Sequence, residues 1–379
     1  MQKGKYNTIV DSAWGSSAKG AASARLAEIY KIENVASTNL PNAGHTCIAN
    51  GEKFVGKVLP TPIFIKKHGR GHPDMTAWVG PTSGFEAGQL QGEISQIGLT
   101  VGKDLHIHSR AAVVEKQHID AESPGGILST EHVSSTMSGS GAVVAMKMMR
   151  LPGVKLAKDL DGLETVGPMD FYRGIWSRLE KGESFLHEVS QGWALSLNSG
   201  THYPTCTSRE CTPQQAYADM GVRPNMVGDV YMNVRTFPIR VGNNYDSSGK
   251  QVGYSGDCLP DQIETSWADI GKNADMPQDE TDSLLLKEKT TVTKKLRRVF
   301  TPSWTLLKDS AEFCGATKLI LNFPQYIHWS AYGIRGEHKE FLNLHPAVRA
   351  YVDKMQEVTN LPVVMIGTAA EHDSYIWLG

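Results

Sequence analysis

The chain has 379 residues, 40% of them apolar and 21% charged, and 38 Lys and Arg against 40 Asp and Glu leave a formal net charge of −2. That is enough apolar chain for one large core or two smaller ones, which excludes a disordered protein, and the near-zero charge supplies no basic field for a nucleic-acid polymer. No stretch approaches the roughly 20 apolar residues of a membrane helix, the start carries no apolar leader, and the five cysteines lack CxxC spacing, so reduced thiols in a cytoplasm are expected.

In chain order, residues 6–10 predict a short strand and the Gly and Ser stretch 15–20 a loop. The Ala-rich residues 21–30, with Leu26 and Ile29 at helical spacing, predict a helix. Residues 34–38 predict a second strand, and 42–46 a loop leaving its end. Loops after two strands can share one edge of a parallel sheet, where open α/β sheets bind ligands. Cys206 and Cys211 with His202 give three zinc-type ligands but no fourth nearby. Residues 242–282, rich in Asn, Asp, Ser, Gly and Pro, read as a loop-rich insertion. Residues 317–322 (TKLILN) and 361–368 (LPVVMIGT) are continuous apolar runs of the kind buried on both faces of a sheet. Between them, Val348, Tyr351, Val352 and Met355 have the spacing of an amphipathic crossover helix over 345–358. With no repeat and no linker, residues 1–379 are expected to form a single α/β domain.

The loop Trp14-Gly15-Ser16-Ser17-Ala18-Lys19-Gly20 turns a strand into a helix. Its backbone N–H groups and the helix dipole face an anion there, and Lys19 adds a charge for a phosphate. It is no Walker A loop, since GxxxxGK[ST] is absent, and turns of this kind also occur as plain structure. A second segment, Asn42-Ala43-Gly44-His45-Thr46, narrows the reading. Together the two resemble the phosphoryl-transfer centre of the adenylosuccinate synthetase family, whose first loop reads Trp-Gly-Asp-Glu-Gly-Lys-Gly. The resemblance implies a P-loop-NTPase-like α/β fold, with a mostly parallel central sheet flanked by helices and large insertions. It places Ser17, Ala18, Lys19, Gly20, Gly44 and Thr46 on the donor phosphates. It also makes His45 the group that donates a hydrogen bond as the γ-phosphate moves to the purine 6-oxygen. Mg²⁺ is the implied cofactor, held at Gly44 and at the position of Ser16.

The likeness runs on to the end of the chain. Residues 133–150 resemble the family's Thr-Thr-Gly-Arg-Gly-Ile-Gly-Pro segment, with Ser135 and Thr136 at nucleotide-phosphate positions. Arg150 alone reads as a solvated helix face; the resemblance makes it an arginine that reaches the partner subunit's nucleotide, which implies a homodimer. Residues 188–212 follow the family's Glu-Gly-Ala-Gln-Gly and Gly-Thr-Tyr-Pro run, placing Gln191 on the purine base and Thr207 on the 5'-phosphate. Asn42 and Ser16 complete that acceptor site, and Val241, in Ile239-Arg240-Val241-Gly242, lies beside the sugar. Residues 292–298 resemble the family's L-aspartate loop, with Thr293, Lys295, Arg297 and Arg298 as its binding residues. Lys295 stands where the family has an Arg, and a Lys cannot form the same bidentate fork.

Two departures redirect the substrate reading. Ser16 replaces the Asp that in the family takes the purine N1 proton. A serine hydroxyl holds no negative charge at neutral pH, but it leaves room for a 2-amino group beside N1. A bacteriophage branch of the family shares this departure and takes dGMP in place of IMP. Gln325, in Asn322-Phe323-Pro324-Gln325, replaces the Asp that pairs with a guanine donor, and a neutral amide suits an adenine edge. Gly367 lies in the loop that resembles the one flanking the same base. The expected partners are therefore dGMP, L-aspartate and ATP or dATP. An IMP- and GTP-using relative, or an inactive nucleotide-binding module, is the alternative.

Overall fold

In the computed structural model of the chain, which describes residues 1–289 and 295–379, nine strands form one central sheet. They are β1 (Tyr6–Asp11), β2 (Asn34–Ser37), β3 (Thr76–Val79), β4 (Leu105–Ile107), β5 (Phe185–Glu188), β6 (Val227–Arg235), β7 (Lys318–Asn322), β8 (Val363–Gly367) and β9 (Tyr375–Trp377). Their order is β9-β8-β7-β6-β1-β5-β2-β3-β4, and every neighbouring pair is parallel except β8 with β9. Strand order reverses around β1, so a crevice opens at the carboxyl ends of β1, β5 and β6.

Neighbouring residues of one strand feed opposite cores, which is why the strands read as continuous apolar runs. Ile9 packs into one cluster with Leu26, Val35 and Phe54, while Val10 packs into the other with Met232, Leu319 and Val348. Leu26 and Phe54 are fully buried, and each such side chain contributes roughly 2 kcal/mol of transfer free energy. The helix Lys19–Tyr30 lies close on the sheet because Ala22, Ala24 and Ala27 add almost no bulk on its buried side. The expected crossover helix is Pro346–Thr359, with Val348, Val352 and Met355 buried as their spacing implied.

Residues 242–282 are loop-rich only in their first half. Asn244–Tyr245 pairs with Gln251–Gly253, and Glu264–Thr265 joins Arg298–Phe300 and Ile239–Arg240 in a small antiparallel sheet. The helices Trp267–Asn273 and Gln278–Lys287 then bury Trp267, Ile270 and Leu284 against Ile239, Val299 and Tyr326. Ser266 caps the first of these helices through its hydroxyl, a start signal hidden among the polar residues. Among the described residues, no helix is long and apolar enough to cross a membrane.

Candidate active site

The first loop leaves β1 at Asp11 and is held in an unfavourable backbone shape. Ser16 and Ala18 have φ of 55° and 64°, and Gly15 has 86°. Left-handed backbone at two residues with a Cβ costs free energy, and surrounding bonds hold it in place. Asn233, on β6, donates its amide to the carbonyl of Ser17 at 2.8 Å and to its hydroxyl at 2.7 Å. Arg235, two residues on, donates to the carbonyl of Ser16 at 2.8 Å. Ser16 itself is exposed at the tip. At the foot of the loop, Asp11 accepts from the Ala13 N–H at 2.7 Å, and its other oxygen is buried without a partner. Burial pushes the Asp11 carboxyl up, against the pull of Lys19 and Ser17.

The two phosphate-loop motifs meet. A Cβ on Gly20 would stand 2.6 Å from the carbonyl oxygen of Thr46, so only glycine permits the approach. Lys19 is buried, which lowers its pKa against Asp11 and Glu188, and its ammonium donates to the carbonyl of Gln191 at 2.5 Å. Gln191, at φ 59°, faces Gly15 across the crevice.

His45 begins the strand His45–Ala49, and its Nδ1 lies 3.1 Å from Oε1 of Glu188 at the end of β5. The contact is not aligned as a linear hydrogen bond, a common state of catalytic pairs without substrate. Glu188 is fully buried and accepts from the Thr61 N–H at 2.8 Å and the Ser23 hydroxyl at 3.2 Å. Burial alone raises a carboxyl's pKa, but His45, the Thr61 N–H and Lys19 outweigh it and hold Glu188 below its ordinary value. The contact engages Nδ1 of the imidazole and not Nε2.

At the residues expected to take the acceptor nucleotide, hydroxyl groups form a chain of contacts. The Asn42 amide lies 3.3 Å from the Thr207 hydroxyl, and its N–H donates to Ser140 at 3.1 Å. Ser140, Ser138 and Thr136 follow in hydroxyl contacts of 3.1 and 3.0 Å, and Ser135 accepts from the Met137 N–H at 3.2 Å. Val241 is set by Arg240, whose guanidinium stacks 4.3 Å from the Trp14 ring and donates to the carbonyls of Ser255 and Asp257. A Cβ on Gly242 would meet the carbonyl of Leu296 at 2.6 Å, so the backbone after Ile239–Arg240 presses on the cationic segment. There Lys295 donates to the Asn244 side chain.

The cationic residues differ in what they leave free. Arg298 forms a two-bonded ion pair with Glu264, at 2.8 and 2.6 Å, and also donates to Ser255 and Gly256. Arg297 pairs with Glu288 at 3.0 Å and keeps a buried Nε–H without a partner. Thr293 lies outside the described residues. Arg150 is exposed at φ 57°, after the helix Ser140–Met148. Gln325 is not a surface turn residue: it is 7% exposed in the short turn Pro324–Tyr326, and its Oε1 is buried without a partner. Gly367 at the end of β8 admits no side chain, since a Cβ would stand 2.3 Å from Oδ1 of Asn322.

Sequence reasoning missed Glu188 as the partner of His45, and it missed Asn233, Arg235 and Glu288. Its one available signal was polar residues at alternate positions near the end of the apolar run 227–235. For magnesium, the test is the donor set. Among the described residues no group of three His, Cys, Asp or Glu could cage a metal. The Ser16 hydroxyl is exposed, and with the Gly44 carbonyl it would offer a cation only two oxygens, so the other ligands would be phosphates and water.

The family model for adenylosuccinate synthetase matches residues 165–328. The chain is 33% identical over 350 residues to the N6-succino-2-amino-2'-deoxyadenylate synthase of Acinetobacter phage SH-Ab 15497, covering 85% of this chain and 84% of that one. It is 29% identical over 364 residues to the adenylosuccinate synthetase of Archaeoglobus fulgidus, covering 96% and 95%. The solved succinoaminodeoxyadenylate synthetase of cyanophage S-2L, bound to dGMP and dATP as an energy donor, superposes with a TM-score of 0.78 at 28% identity, covering 98% of this chain and 95% of that one. The chain belongs to the adenylosuccinate synthetase family and is a carbon–nitrogen ligase of that type.

Proposed function

We propose that the chain condenses dGMP with L-aspartate, driven by ATP or dATP. The γ-phosphoryl passes to the purine 6-oxygen as the N1 proton leaves. The aspartate amine then attacks C6, and phosphate departs carrying that oxygen. The products are 2-amino-2'-deoxy-N6-succinyladenylate, phosphate and ADP or dADP, a step towards diaminopurine DNA. Carrying this reading is Ser16, an exposed neutral hydroxyl on a loop where the ordinary enzyme resembles it but for a carboxylate. The names of the phage relatives support it, as does the dGMP and dATP bound to the cyanophage enzyme.

Ser16 with Asn42, Gln191 and Val241 takes the base and sugar, and Ser135, Thr136 and Thr207 take the 5'-phosphate. Ser17, Ala18, Gly20, Gly44 and Thr46 cradle the donor phosphates, and Lys19 exchanges the Gln191 carbonyl for a phosphate oxygen. Mg²⁺ held at Ser16 and Gly44 would offset charge on the transferring group. His45, oriented by Glu188, donates to that group as its charge develops. Gln325 offers its unpartnered Oε1 to the adenine N6–H₂, and Gly367 leaves room beside the base. Thr293, Lys295, Arg297 and Arg298 form the L-aspartate side. Two copies of the chain would associate through the exposed apolar residues around Arg150, Met148, Met149 and Leu151, which carry the arginine to the partner's nucleotide.

The test is phosphate release with L-aspartate and Mg²⁺, crossing dGMP, GMP and IMP with ATP, dATP and GTP. Turnover confined to dGMP with an adenine donor is expected. Turnover of IMP with GTP overturns the substrate reading, and no turnover with any pair favours a nucleotide-binding module.

A further inference from the structure

Arg235, Glu288, Arg297 and Tyr326 form a buried cluster beside the phosphoryl-transfer groups. Glu288 ends the helix Gln278–Lys287 and is almost inaccessible. Its Oε1 accepts from Arg235 Nη2 at 2.6 Å and from the Tyr326 hydroxyl at 2.7 Å, and its Oε2 accepts from Arg297 Nη1 at 3.0 Å. The Arg297 N–H also donates to the Glu288 carbonyl at 3.0 Å.

Each donor comes from a different part of the crevice. Arg235 reaches on to the carbonyl of Ser16, fixing the tip of the phosphate loop, and its guanidinium lies 4.1 Å from the Phe323 ring. Tyr326 closes the turn that carries Gln325. Arg297 belongs to the cationic segment and keeps one buried N–H unpartnered. Two guanidinium groups on one carboxylate leave a net positive charge in a desolvated place. Without the carboxylate, the two cations would repel each other and the three segments would separate.

We propose that Glu288 is a positioning residue for the ligase reaction. It holds the Ser16 carbonyl, the Gln325 turn and Arg297 as one unit, so that donor base, transferring phosphate and L-aspartate arrive in register. This rests on the donor and aspartate subsites assigned above.

Two variants separate positioning from folding. Glu288→Gln removes the charge and keeps the shape, whereas Tyr326→Phe removes one bond and keeps the ring packed on Phe323. Glu288→Gln is expected to raise KM for L-aspartate and for the donor each by about 10-fold, with a smaller change for the acceptor nucleotide. Tyr326→Phe is expected to raise the same two constants by about threefold, with melting temperature little changed. Soluble variants whose donor and aspartate KM values stay within about twofold of the parent overturn the proposal. If Glu288→Gln does not fold, unchanged constants in Tyr326→Phe overturn it alone. Kinetics use whichever acceptor and donor the parent turns over, with the Kd for ATP measured alongside. A wrong nucleotide assignment therefore shows in the parent, and a failed positioning role only in the variants.

Discussion

His45 and Glu188 meet from two separate strands. The imidazole was legible because Asn42, Gly44 and Thr46 surround it in a recognisable segment. Its carboxylate partner was not, because the pairing depends on β5 lying beside β1 and β2, which no local pattern encodes. His45 and the neighbouring donors hold the Glu188 carboxyl below its ordinary pKa despite complete burial, so Glu188→Gln removes a charge beside His45 while leaving the volume. The expected result is a kcat lower by about 10²-fold with KM values near the parent's; unchanged kcat would mean that His45 needs no partner. Gln325 supports a second prediction at this scale. Gln325→Asp places a carboxylate where a buried amide oxygen now stands, which suits the N1–H and N2–H₂ donors of guanine. Donor preference should move from ATP towards GTP by about 10-fold or more in the ratio of kcat/KM values, and an unchanged ratio removes Gln325 from the donor site.

Elements are joined at this site by close approaches that only glycine allows. The helix Lys19–Tyr30 and the strands 6–11 and 363–367 followed from apolar spacing and the residues that flank them. The contact between the two phosphate loops is visible only in three dimensions, at Gly20 against Thr46. Gly20→Ala must push the loops apart, and should cost about 1–3 kcal/mol of stability together with most of the activity. Gly92, inside the helix Ala87–Ile97 with open space around it, is the control. Gly92→Ala should stabilise by about 0.5–1 kcal/mol and leave turnover alone. Urea unfolding of both variants checks the pair, and equal effects would contradict the packing argument.

For the whole molecule, composition and charge were enough to set the class, and the apolar runs were enough to indicate a sheet buried on both faces. The order of the nine strands was not legible, because Thr76–Val79, Phe185–Glu188 and Val227–Arg235 interleave segments far apart in the chain. Nor was the helical half of residues 242–282, whose apolar positions are few and lie among turn-forming residues. Arg150 belongs to this scale, since it is exposed and its proposed role needs a second copy of the chain. If it acts across a twofold dimer, Arg150→Ala and His45→Ala are each inactive alone, and equal mixing should restore about one quarter of the sites. A mixture without activity rules out action across the dimer, and an Arg150→Ala variant active on its own confines Arg150 to a surface role.

The measurement closest to the central claim follows the purine oxygen. dGMP labelled with oxygen-18 at C6 is incubated with L-aspartate, ATP and Mg²⁺, and phosphate and nucleotide are analysed by mass spectrometry. The account predicts one labelled oxygen in each phosphate released and a succinylated nucleotide without label. Unlabelled phosphate, or phosphate formed with no succinylated product, would contradict it.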